Sequence, residues 1–260
     1  MPNVDPRFGR LITAMVTPFN DERELDLDRA QALATRLIEG GNDSLIINGT
    51  TGESPTVFYP QKIELFRAVV EAVGGKAPVI ANVGDNCTAD TVDFAKDVAK
   101  LGVDGFMCVI PYYNKPPQEG MYQHFKTIAD AVELPIILYN IPGRCVVNME
   151  AETTLRLAND CENIIAVKEA SGKMDQIATI AAAAPEGFSV YSGDDSATYD
   201  IMRLGGVGVI STTGNVAPER MKELVTKCAE GKWDEAWAAH EALLPLMNGL
   251  FETYSVDKYG

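Results

Sequence analysis

Eight short apolar runs, each followed by a stretch of helical period, set the strongest limit on what this chain can fold into. They cover residues 11–19, 44–48, 78–83, 105–112, 135–141, 164–169, 188–192 and 206–211. Their starts fall about 28 residues apart, the length of one βα unit. Each run is apolar almost throughout, the pattern of parallel strands covered on both faces. Between them, Ala30, Leu33, Ala34, Leu37 and Ile38 share a helical face, and Gly40-Gly41 closes that helix. Met221, Leu224, Val225 and Cys228 repeat the pattern between Pro218 and Gly231. Strict alternation with eight strands predicts an α/β fold, a (β/α)8 TIM barrel, which takes about 250 residues. An open doubly wound sheet of eight strands is the alternative. Beyond the eighth unit, residues 233–250 read as one further helix and residues 254–260 as a polar tail.

The chain has 260 residues, with 22 basic against 37 acidic side chains and a formal net charge of −15. Such a surface repels phosphate backbones, so nucleic acid is excluded as the expected partner. No run of about 18 apolar residues is present, so no membrane span is expected. The opening Met-Pro-Asn-Val-Asp has neither the basic nor the apolar segment of a signal peptide. Five scattered cysteines without a CxxC read as reduced, mostly buried thiols of a cytoplasmic protein. Two distant histidines, His124 and His240, exclude a His-rich metal site. With no nucleotide fingerprint either, the sequence predicts neither a metal nor a cofactor.

In a βα barrel the chemistry sits at the C-terminal ends of the strands. The second run ends in Asn48-Gly49-Thr50-Thr51-Gly52-Glu53-Ser54, where two glycines let backbone N–H groups converge on an anion beside free hydroxyls. The competing reading is an ordinary glycine turn whose threonines satisfy backbone. The sixth run, Ile164-Ile165-Ala166-Val167-Lys168-Glu169, carries a sharper signal. Alternation predicts that Ile164, Ala166 and Lys168 share a face. A lysine closing such a run is either paired with Glu169 or another carboxylate, or is a desolvated amine able to attack a carbonyl. At the fifth strand end Tyr139 offers a proton-transfer phenol and Arg144 a carboxylate-binding fork. The bland readings there are a barrel-filling tyrosine and a surface arginine. Tyr112 ends the fourth run with Tyr113 just beyond it, and the seventh runs into Ser192-Gly193-Asp194-Asp195, where a helix N-cap outweighs a metal site. The eighth leads from Ile210 into the small-residue turn Ser211-Thr212-Thr213-Gly214-Asn215. Together a strand-end lysine, a tyrosine, paired threonines and an arginine describe a Schiff-base enzyme acting on a keto acid.

Five motifs in order, GTTGES at 49–54, PYYN at 111–114, YNIPGR at 139–144, KEASG at 168–172 and SGDD at 192–195, carry a family resemblance over nearly the whole chain. The sequence resembles the dihydrodipicolinate synthase / N-acetylneuraminate lyase family of pyruvate-dependent class I aldolases. The arginine of YNIPGR favours the synthase branch. The resemblance implies aldol condensation of pyruvate with aspartate semialdehyde, in the diaminopimelate route to lysine. It implies that Lys168 forms the Schiff base, and that Tyr139 transfers protons in a relay with Thr50 and Tyr113. Thr51 would hold the pyruvate carboxylate, with Gly193 and Ile210 lining the same pocket, and Arg144 would meet the aldehyde's carboxylate. Tyr113 would reach in from a neighbouring subunit, so the implied assembly is a homodimer or homotetramer. The alternatives are a related aldolase, such as an N-acetylneuraminate or 2-keto-3-deoxy sugar acid lyase, and a non-catalytic keto-acid-binding homologue.

The sequence departs from the family pattern in three places. Cys145-Val146 stands where Thr-Gly usually follows YNIPGR. Tyr59 and Lys62 occupy the positions of histidines found in lysine-inhibited members, so inhibition by lysine is expected to be weak or absent. After Leu250-Phe251 the usual Asn-Pro-Ile-Pro-type segment does not appear, which implies a shortened C-terminal helical extension. Residues 1–231 are accordingly read as the catalytic barrel and 232–260 as a remnant of the C-terminal helical segment.

Overall fold

A computed structural model describes residues 6–252, and its eight strands close on themselves as β1-β2-β3-β4-β5-β6-β7-β8, every neighbouring pair parallel. In chain order, β1 (Leu11–Ala14), α1 (Leu27–Glu39), β2 (Ser44–Ile47), α2 (Tyr59–Val73), β3 (Val79–Asn82), α3 (Thr88–Ala99), β4 (Gly105–Val109) and α4 (Gln118–Ala131) make the first half. The second half is β5 (Ile136–Asn140), α5 (Pro142–Cys145), α6 (Ala151–Asp160), β6 (Ile164–Glu169), α7 (Met174–Ala183), β7 (Ser189–Ser192), α8 (Thr198–Arg203), β8 (Gly208–Ser211) and α9 (Pro218–Ala229). The expected barrel is therefore the observed one. Closure across β1 and β8, with Leu11 opposite Val209 and Thr13 opposite Ser211, rules out the open sheet.

Only β6 fills the range its sequence suggested; the other seven strands are shorter. The first run shows why. Beyond Ala14 the chain leaves the ladder to serve the barrel mouth, where the Val16 N–H donates to Asn215 Oδ1 at 3.1 Å and the Thr17 hydroxyl to the Gly52 carbonyl at 2.6 Å. Apolar, extended residues at a mouth look like strand in sequence but find partners in loops.

Alternation sorts the strand residues into two cores. Ile12, Ile46, Ile80, Met107, Ile137, Tyr139, Ala166, Tyr191 and Ile210 fill the barrel interior. Leu45, Val79, Phe106, Leu138, Val167 and Val190 face outward against the helices. One expected assignment fails here. Ile164 lies in the outer core, not on the face of Ala166 and Lys168. The register explains it: Ile136 pairs with Ile164, but Ile137 pairs with Ala166, leaving Ile165 as an extra residue. Such a bulge flips the phase of everything before it.

The helix expected at 233–250 is α10 (Trp233–Glu252). It packs Ala236, Leu243 and Met247 into the cluster that holds Leu11 and Val209 of the barrel and Met221 and Leu224 of α9. The tail at 254–260 lies outside the described residues. No helix among the described residues is long and apolar enough to cross a membrane. All five cysteines are unpaired and four of them are buried. The histidines are packed into helices: His124 Nδ1 pairs with the Thr88 hydroxyl at 2.8 Å, and the His240 ring stacks on Tyr199.

Candidate active site

Lys168 is the penultimate residue of β6, pointing inward because it lies two residues past Ala166 after the bulge. It is 5% exposed, and its Nζ sits 4.2 Å from the centroid of the Tyr139 ring, its direct neighbour in register on β5. Burial pushes its pKa down to about 8; the Asp195 and Asp194 carboxylates pull it back up and Arg144 pushes it further down. A substantial neutral fraction of amine is thus present near pH 8.

The alternative partner, Glu169, is engaged on the opposite face. Its carboxylate accepts from Asn140 Nδ2 at 3.1 and 3.2 Å, from Gln176 Nε2 at 3.0 Å and from the Ser171 N–H at 2.9 Å. Asn140 in turn bonds the Met149 backbone through both ends of its amide. This buried network clamps the ends of β5 and β6 together, and so fixes Tyr139 against Lys168. Sequence reasoning offered Glu169 only as a salt-bridge partner for Lys168, although strict alternation already puts it on the face away from Lys168.

The β2 turn is bracketed by two residues of positive φ, Asn48 at 60° and Glu53 at 57°. Asn48 and Asn82 exchange side-chain-to-carbonyl bonds across the β2 and β3 ends at 3.4 and 3.0 Å. The Thr51 hydroxyl meets the Thr212 hydroxyl of the β8 turn at 3.4 Å rather than a backbone group. Thr50, Tyr112, Arg144 and Cys145 line a cavity of about 270 Å³, and Arg144 also lines a neighbouring one of about 610 Å³ with Gly193, Asp194, Met247 and Asn248. Arg144 thus stands between two openings at the strand ends. Gly193 has no room for a side chain: a Cβ there would lie 2.7 Å from the Ala170 Cβ and 3.0 Å from the Glu169 carbonyl oxygen. Its N–H closes the turn onto that same carbonyl at 2.8 Å. Ile210 is fully buried in the barrel interior below.

Of the sequence candidates, Lys168 and Tyr139 are in contact, while Thr50 and Arg144 share the mouth. Tyr113 does not join them within the chain. It is 87% exposed at φ 69°, whereas Tyr112 bonds Asp85 Oδ2 at 3.3 Å. The adjacent aspartates divide as an N-cap predicts: Asp194 caps a short 3-10 turn through the Ser196 N–H at 2.9 Å. Asp195 is buried and accepts from Thr212 and Thr213, a role that sequence reasoning missed. No cluster of three or more metal-ligating side chains exists among the described residues.

The signature of the Dihydrodipicolinate synthetase family matches residues 7–258. The chain belongs to that family. A 4-hydroxy-tetrahydrodipicolinate synthase 1 of Halalkalibacterium halodurans is 52% identical over 245 residues, covering 94% of this chain and 83% of the relative. The 4-hydroxy-tetrahydrodipicolinate synthase of Moorella thermoacetica is 53% identical over 247 residues, 95% of this chain and 84% of its own. Among solved structures, a DHDPS from Cyanidioschyzon merolae with lysine bound superposes with a TM-score of 0.95 at 44% identity, covering 97% of this chain and 86% of that one.

Two departures from the dihydrodipicolinate synthetase pattern are visible in the structure. Val146 closes α5 in the left-handed region, at φ 62° and ψ 9°, with its N–H bonded to the Pro142 carbonyl. A β-branched residue is a conformational outlier there, and its side chain is mostly exposed, so packing returns little. Val146→Gly is expected to stabilise the protein by about 1 kcal/mol, since relief of left-handed strain outweighs the added freedom of the unfolded chain. A urea titration checks this; an unchanged or lower midpoint refutes it. The second departure is Lys62, which lines a groove of about 330 Å³ with Ser54, Tyr59, Asp85 and Asp90. Burial lowers its pKa while the Asp85 charge raises it.

Proposed function

We infer that this chain is a 4-hydroxy-tetrahydrodipicolinate synthase, condensing pyruvate with L-aspartate 4-semialdehyde through a Schiff base on Lys168. The observation that carries the reading is a buried strand-end amine set against a tyrosine inside a barrel of this family. Neutral Lys168 attacks the keto carbon of pyruvate, and loss of water leaves an iminium. That cation is the electron sink: the methyl group gives up a proton, and the resulting enamine attacks the aldehyde carbon. Tyr139 moves the protons, taking one from the methyl side and delivering one to the new alkoxide. The amino group brought by the aldehyde then displaces the lysine at the iminium carbon as the ring closes.

Several features support the individual roles. In this reading Thr51 takes the pyruvate carboxylate and Gly193 and Ile210 bound the pocket; the Thr51 hydroxyl, facing the Thr212 hydroxyl at 3.4 Å, supports that role. Arg144, between the two openings, is suited to the carboxylate that the aldehyde carries. Thr50 and Tyr113 complete the proton relay in this reading, Tyr113 by entering the site of a second copy of the chain. An aromatic side chain 87% exposed on strained backbone fits a residue meant for a partner's surface.

Borohydride reduction in the presence of pyruvate, followed by peptide mass analysis, tests the reading. A reduced pyruvyl adduct on Lys168 is the expected result; an adduct elsewhere, or none, overturns it. Free lysine is expected to inhibit weakly or not at all, because the Lys62 ammonium in the groove would repel a cationic ligand. Activity halved by micromolar lysine contradicts this.

A further inference from the structure

The β8 turn is built more rigidly than a connection requires. The Thr212 N–H donates to Asp195 Oδ2 at 3.0 Å, and its carbonyl accepts from Asn215 Nδ2 at 3.0 Å and from the Asn215 N–H at 3.1 Å. Asp195 Oδ2 also takes the Thr213 N–H at 2.8 Å and the Thr213 hydroxyl at 2.9 Å. Asn215 is tied to the Ala14 carbonyl at the end of β1 at 2.9 Å and to the Val16 N–H just beyond that strand at 3.1 Å. The turn also demands glycine at 214, where a Cβ would lie 2.0 Å from the Thr13 hydroxyl oxygen. Both backbone polar groups of Thr212 are therefore held, and its hydroxyl is turned in one observed direction.

That direction leads to Thr51. The two hydroxyl oxygens, from turns on opposite sides of the β1 strand, stand 3.4 Å apart, at the outer limit of a hydrogen bond. A contact this weak is readily exchanged for two charge-assisted bonds to one carboxylate, each hydroxyl donating to one oxygen. The Asp195 charge also acts on Lys168, so the residue that anchors this turn is within electrostatic reach of the amine. Asp195 Oδ2 takes three donors, and the Thr212 hydroxyl is not one of them.

We propose that the Thr212 hydroxyl is a second ligand, beside Thr51, for the carboxylate of the keto acid, and that Asp195 is the positioning residue that aims it. The proposal rests on the Schiff-base reading above and names a further part of that site. Thr212→Val keeps the shape and removes the donor. It is expected to raise KM for pyruvate about tenfold, the loss of one hydrogen bond to a charged group, with KM for the aldehyde unchanged. Thr212→Ser restores the wild-type value. Asp195→Ala raises KM for pyruvate too, and adding Thr212→Val to it brings no further loss, the non-additivity of two residues acting through one contact.

An unchanged pyruvate KM in Thr212→Val overturns the ligand assignment, and fully additive effects overturn the positioning role. Borohydride trapping at saturating pyruvate separates these outcomes from failure of the reaction itself. Both wild type and Thr212→Val must still carry the adduct on Lys168; its absence from wild type counts against the Schiff base and leaves Thr212 with nothing to bind.

Discussion

Lys168→Met is expected to remove turnover and raise the melting temperature in the same protein. The activity loss is roughly four to six orders of magnitude in kcat/KM, since no other group supplies the nucleophile. The gain in stability has a separate origin. Lys168 is buried with its pKa held near 8, against 10.5 for a free side chain. Below pH 8 the amine is charged in both states, and the folded protein carries the full cost of keeping an ammonium in the barrel. That cost is about 3 kcal/mol. Between pH 8 and 10.5 the unfolded chain binds more protons than the folded one, so wild-type stability climbs with pH through this window. Methionine, of similar length and without charge, avoids the cost throughout. The variant should therefore melt several degrees higher near pH 7, with the advantage shrinking as pH approaches 10.5. Equal melting temperatures across this range contradict the burial argument, and retained activity contradicts the mechanism. The same titration predicts that wild-type Schiff-base formation quickens as pH rises towards 8, because deprotonation produces the attacking form.

Tyr139→Phe is the second large effect. The ring stays, so the contact with Lys168 Nζ and the interior packing with Ile137 and Ala166 are kept, and only the hydroxyl goes. General acid–base transfer contributes roughly 10²–10⁴-fold, so kcat should fall by about three orders of magnitude. KM for pyruvate should stay within a few-fold of wild type, and the borohydride adduct should still form, more slowly. Stopped-flow measurement of adduct formation beside steady-state rates separates the two steps. Wild-type kcat in this variant removes Tyr139 from the proton path.

The barrel was legible because βα periodicity is a local signal repeated eight times, and each repeat needs only its own residues to be read. Lys168 and Tyr139 were legible for a related reason: a polar group ending an apolar strand has to be explained. What escaped were features set by distant partners. The bulge at Ile165 depends on how β6 pairs with β5, so nothing within Ile164–Glu169 announces that Ile164 turns outward. Asp195 looked like one half of a capping pair, and its part in fixing the β8 turn needed Thr212 and Thr213, 17 and 18 residues further on. Strand lengths were overestimated where the residues at the mouth are as apolar as the strands but bond to loops.

The parallel seam between β1 and β8 also shapes how the protein comes into being. Leu11 finds its ladder partner only when Val209 has been synthesised, and Arg10 Nη1 reaches the Val207 carbonyl across a sequence separation of 197. Any sheet formed before then has two unpaired edges, the kind of nascent state that folds slowly and invites pairing with other chains. Substitutions that weaken the seam should therefore reduce soluble yield during synthesis more than they lower the melting temperature of the finished barrel.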